Sequence, residues 1–151
     1  MERIEELFLD AYRCAVNGRE LNLQEEIGGS GWRRIFQIAE AHGVLPMIYE
    51  ALWNSPSFLK LDENYRNRIR ERAVGMMLSQ AQSTASVLEL CQYLNRLGLH
   101  PMIMKGMICR DLYPHPEQRI STDEDLLIPH ALLFWRGWGG GESLEFWGEV
   151  P

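Results

Sequence analysis

No stretch of this sequence is apolar for long enough to cross a bilayer, which takes about 20 consecutive apolar residues. The opening stretch MERIEELFLDAYR is charged and amphipathic and lacks the apolar core of a secretory signal. Cysteine is scarce: three residues, Cys14, Cys91 and Cys109, odd in number and far apart. With no CxxC pair and no Cys/His ligand spacing, a structural zinc site is not expected. The thiols read as reduced side chains, and the protein is expected in the cytoplasm. Positive charge is also in deficit, with 15 Lys and Arg against 21 Asp and Glu and a formal net charge of -6. General nucleic-acid binding relies on a basic surface, so that class is set aside. A nucleotide site survives this test, because it needs only local positive charge and a metal.

What is present is an ordinary globular balance: 151 residues, 46% hydrophobic and 24% charged. That is enough for a compact domain with a sizeable core. Residues 1–99 read as a helical region. Ile4, Leu7, Phe8, Ala11 and Ala15 recur at helical spacing before Asn17-Gly18. A loop through Gly28-Gly29-Ser30-Gly31 precedes a second stripe of Trp32, Ile35, Phe36 and Ala39, which His42-Gly43 ends. Pro46 suits the first turn of a third helix to about Trp53, and Asn54-Ser55-Pro56-Ser57 breaks it. Asp62 can cap a long helix to about Leu97, with Gly75 as a candidate kink and Gly98 at its C-terminal end. Arg66, Arg68, Arg70 and Arg72 alternate, so they splay around that helix and read as a solvated surface.

The character changes at His100. Pro101-Met102-Ile103-Met104 reads as a buried strand, Lys105-Gly106 ends it, and Met107 to Tyr113 can form a short helix. A proline-bearing loop follows, and STDEDLLI, Ser121 to Ile128, reads as a second strand. The fold class is therefore α/β. The tail, 130–151, has three tryptophans and five glycines and no sustained period; it reads as irregular.

On a strand, Asp123 and Asp125 share one face. Two adjacent hard oxygen ligands suit Mg²⁺ (or Mn²⁺), which adds waters and substrate phosphates to one or two carboxylates. Such a site can serve phosphoryl or nucleotidyl transfer. Upstream, Lys105 offers positive charge. Gly106 lets backbone approach closely at a helix start, where free N–H groups favour phosphate. Glu124 faces the other way, where a charge is costly unless exposed or paired.

The run MIMKGMICRDLYPHPEQRISTDEDLLIP resembles the core of the uncharacterised nucleotidyltransferases of the minimal nucleotidyltransferase and polymerase-β superfamily. The ordered residues are Lys105, Gly106, Leu112, Tyr113, Arg119, Asp123, Asp125, Leu126 and Leu127. The helical lead, including AEAHGVLPMIYEAL, resembles the family's N-terminal region. The resemblance implies a helical N-terminal region followed by a partial nucleotidyltransferase-fold mixed sheet, the core beginning over 100–129. It implies a metal on Asp123 and Asp125 bridging a nucleoside triphosphate, with ATP the expected donor, and Lys105 and Gly106 near its phosphates. It places Arg119 on phosphate or bracing the carboxylates, and Ser121 and Thr122 beside the site. The implied reaction transfers a nucleoside monophosphate to an unknown acceptor.

Three features depart from the pattern. Met107 follows Gly106 where a small residue is usual. Glu124 stands where an apolar residue is usual. No strand bearing a third carboxylate is legible after Pro129, where the acidic residues are Glu142, Glu145 and Glu149. The abrupt change after a well-matched motif reads as truncation, with 130–151 a candidate out-of-frame segment and activity expected to be weak or absent. An inactive nucleotide-binding or helical interaction module is the alternative. An unfinished sheet would leave an edge open to self-association.

Overall fold

Glu5 and Glu6 in the first turn and Arg13 in the last suit the dipole of the first helix, α1 (Arg3–Val16). A computed structural model describes residues 3–128, 131–136 and 143–147 of the chain. The second helix, α2 (Gly29–Ala41), starts three residues before the apolar stripe begins. The glycines that read as a loop form its first turn. At Gly31 an added Cβ would lie 2.5 Å from Ile27 Cγ2 and 2.9 Å from Ile4 Cδ1, so close packing explains that residue. Pro46 occupies the first turn of α3 (Leu45–Leu52), as expected. The segment expected only to break that helix is itself a capped turn, α4 (Pro56–Leu59). There Ser55 Oγ accepts from the Phe58 amide at 3.4 Å.

Asp62 caps α5 (Glu63–Arg96), its carboxylate accepting from the Tyr65 amide at 3.0 Å. The helix runs on through Gly75, and Gly98 takes the left-handed conformation that closes it. No helix among the described residues is long and apolar enough to cross a membrane.

The chain forms two compact units. One comprises Met1–Leu78 and Tyr113–Ile120, the other Ser79–Leu112 and Ser121–Pro151, so α5 contributes to both. The core of the first is aromatic. Trp32, Phe36 and Phe58 meet pairwise with ring centroids 5.3–5.9 Å apart, edge-on or stacked. Ala11 and Ala39, both fully buried, leave room for the helices beside them.

The second unit carries β1 (Met102–Ile103), α6 (Met107–Arg110), β2 (Asp123–Ile128), β3 (Ala131–Arg136) and β4 (Ser143–Trp147). The strands are ordered β1-β2-β3-β4, and every described pair is antiparallel. Ile103 pairs with Leu126 and Asp125 with Phe134. Among the described residues, Val87 and Leu126 form a buried centre, packed against Leu90, Cys91, Ile103 and Met107. Two expectations change here. Pro101–Met104 is not a buried strand: β1 is a short edge strand, with Met102 and Met104 exposed and Ile103 turned inward. The tail, irregular by its own period, contributes β3, which pairs along β2, and β4, which pairs along β3; pairing supplies what periodicity does not.

Candidate functional site

Asp123 opens β2 and Asp125 follows on the same face, with Glu124 between them on the other. The backbone of β2 is tied to the preceding segment by the Met104 amide, which donates to the Asp125 carbonyl at 2.9 Å. That bond sets the next residue, Lys105, beside the Asp125 side chain. Lys105 Nζ lies 2.9 Å from Asp125 Oδ2. The hydrogen bond to Asp125, then the attraction of its charge, raises the lysine pKa above its ordinary value. Lys105 is half exposed while Asp125 is nearly buried, so the ammonium forms the solvent side of the pair. Asp125 Oδ1 is buried and has no hydrogen-bond partner among the described residues. An unsatisfied buried acceptor costs about 1–3 kcal/mol and calls for a cation or water.

The turn after Lys105 is held from the opposite face of β2. Gly106 has φ 75° and ψ -106° and precedes α6. An added Cβ would overlap the Glu124 carboxylate and come within 2.8 Å of the Asp123 carbonyl oxygen. Glycine is therefore required there twice over, by conformation and by space. The close approach that the sequence suggested for phosphate is made instead by a carboxylate.

Glu124 is 2% exposed. It accepts from the Met107 amide at 2.6 Å and from the Ser121 hydroxyl at 3.0 Å, and it pairs with Arg110 Nη2 at 2.9 Å. Arg110 Nη2 also donates to Thr84 Oγ1 at 3.0 Å, and the Ser121 amide donates to Gln80 Oε1 at 2.8 Å. A buried carboxylate is tolerated only when paired and hydrogen-bonded, and this one is both. The expectation that Glu124 points away from the aspartates and needs a partner holds. The partner, Arg110, was not singled out in the sequence. The usable signal was a carboxylate on the strand face opposite the two aspartates, with an arginine four residues after the glycine turn.

The structure thus brings Asp125, Lys105, Gly106 and Ser121 into one unit with Asp123. Ser121 is engaged by Glu124 and Gln80. Arg119 belongs to the other unit, where its guanidinium donates to the Ile120 carbonyl and lies 5.7 Å from the centre of the Tyr113 ring. Thr122 is exposed.

Two same-face carboxylates with one unsatisfied buried oxygen fit a single hard divalent cation, which needs only one or two protein carboxylates. Among the described residues no three His, Cys, Asp or Glu side chains are grouped to hold a metal without other ligands. Glu142, Glu149 and the rest of 137–142 and 148–151 lie outside the described residues, and the side chain of Glu145 is likewise not described.

A model of a protein family described as an uncharacterised nucleotidyltransferase matches residues 28–133. No curated protein and no solved structure matches the chain.

Proposed function

The chain belongs to this uncharacterised nucleotidyltransferase family, and from that premise we propose that the β2 face bearing Asp123 and Asp125 binds a nucleoside triphosphate with a divalent cation. The observation that carries the reading is Asp125, with one oxygen on Lys105 and the other buried without a partner among the described residues. Mg²⁺ or Mn²⁺ held by Asp123 and Asp125 would supply charge neutralisation for the triphosphate. Lys105, on the wet side of the pair, is the protein's own counter-charge for phosphate. Gly106 and Ser121 act by shaping the turn that carries Lys105. Arg119 is assigned to bracing the Tyr113–Ile120 stretch.

The reaction class is nucleotidyl transfer. An acceptor atom bonds to the α-phosphorus as the bond to the bridging oxygen breaks, and pyrophosphate leaves with the electron pair. ATP is the donor to test first. The acceptor is unassigned. Since no third acidic residue is legible in the family's position, we expect binding with little turnover.

The test is thermal unfolding with Mg²⁺ and ATP, in the wild type and in Asp123→Ala/Asp125→Ala. A ligand at a hundred times its Kd stabilises by about 2.7 kcal/mol, which for a chain of this size raises Tm by roughly 5–10 °C. That rise is expected in the wild type, only with both metal and nucleotide, and not in the double variant. Equal shifts in the two proteins would refute the site. Release of pyrophosphate from labelled triphosphate measures turnover separately, and robust release would overturn the expectation of weak activity.

A further inference from the structure

We infer that Glu124 is a positioning residue for the nucleotide, acting by clamping the Lys105-Gly106 turn from the rear of the strand that carries the two aspartates. The inference rests on the reading of the Asp123/Asp125 face given above and extends it to a residue that face does not contain.

Glu124 is the most buried charged residue among the described ones, and its carboxylate reaches three parts of the unit at once. It holds the Met107 amide, and thereby the first residue after the glycine turn. It holds the Ser121 hydroxyl, which leads into β2. It holds Arg110 at the end of α6, and Arg110 reaches Thr84 on α5. Two consequences follow. First, side chains alternate along a strand, so a one-residue slip of β2 would pull Glu124 from Arg110 and turn Asp123 and Asp125 to the rear. The buried pair therefore fixes the face on which both aspartates stand. Second, the Met107 amide, which opens α6, is already taken by a carboxylate. Phosphate recognition falls to Lys105, whose distance from Asp125 depends on the turn that Glu124 clamps.

Removing Glu124 alone would leave Arg110 buried and unpaired, which is strongly destabilising. The informative variants change both partners. Glu124→Gln/Arg110→Gln keeps an acceptor for the Met107 amide without burying charge. Glu124→Leu/Arg110→Leu keeps apolar volume and removes the acceptor; exchanges of this kind are often neutral or stabilising. Three quantities are read in each protein: amide hydrogen exchange at Met107, Mn²⁺ affinity, and affinity for ATP with Mg²⁺. Slow exchange at Met107 is expected in the wild type and the Gln pair, and fast exchange in the Leu pair. ATP affinity should fall about tenfold in the Leu pair, the lower end of what losing a supporting contact costs at a metal site, and be largely kept in the Gln pair. Mn²⁺ alone should bind no more weakly in either pair than in the wild type, since the aspartates remain and a looser Lys105 competes less for Asp125. A folded Leu pair that binds ATP as the wild type does would overturn the proposal. Fast exchange at Met107 in the wild type would overturn it whether or not either variant folds. Absence of ATP and Mn²⁺ binding in the wild type would instead refute the site itself, while the exchange data would still report on the clamp.

Discussion

Lys105 stands where two ligands would compete for it. Its ammonium neutralises Asp125 now, and under the proposed reading the same ammonium would meet the triphosphate. Removing it should therefore move two affinities in opposite directions. Lys105→Met frees Asp125 Oδ2, so Mn²⁺ alone should bind more tightly than to the wild type. ATP with Mg²⁺ should bind about tenfold or more weakly, the loss of one charge-assisted hydrogen bond. Isothermal titration measures both. Parallel losses would mean that Lys105 merely supports the fold. The ion pair also has a definite pH signature. Asp125 raises the lysine pKa above its ordinary 10.5 in the folded chain. A base whose folded pKa is raised contributes stability below its unfolded pKa and loses it as pH rises through the folded value. The stability difference between wild type and Lys105→Met should thus be constant through neutral pH and shrink only in strong alkali, as followed by denaturant unfolding.

At the scale of elements, α5 offers the plainest test of local physics. Gly75 lies exposed in the middle of a 34-residue helix, and an added Cβ there would meet nothing within 4 Å. Gly75→Ala should stabilise the chain by about 1 kcal/mol, measured as a raised midpoint in urea at unchanged slope. A fall in stability would mean that the helix depends on the glycine for a bend. The longer helices were legible in the sequence because each carries its own signals: the stripe of α2, Pro46 in α3, Asp62 before α5, Gly98 after it. The strands were legible only in part. The DEDLLI strand could be read because its apolar half and its aspartates stand next to one another. β1 looked buried because four apolar residues in a row do not reveal that two of them face outward at an edge. The tail strands have no period of their own and exist by pairing, β3 with β2 and β4 with β3. The same limit applied to the site. Asp123 and Asp125 could be paired from a spacing of two, since alternation along one strand is local information. That Glu124 meets Arg110, or that Gln80 and Thr84 on α5 join the same network, depends on contacts between elements that no local period encodes.

The whole molecule has two centres of packing, and their chemistry differs. One is aromatic and apolar, built on Trp32, Phe36 and Phe58. The other, among the described residues, has an apolar centre at Val87 and Leu126 beside a buried polar network around Glu124 and Arg110. The proposed ligand site lies entirely within that second unit. Binding should therefore act mainly there, because a ligand raises the opening free energy only of the states that lose the site. The expected outcome is specific to peptide. With Mg²⁺ and ATP, hydrogen exchange should slow over 101–110 and 121–128 and over the 80–90 part of α5, while α2 and α3 keep their unliganded rates. Asp123→Ala/Asp125→Ala should abolish the slowing. Protection confined to α1, α2 and α3 would place the nucleotide on the aromatic unit and remove β2 from the account of function.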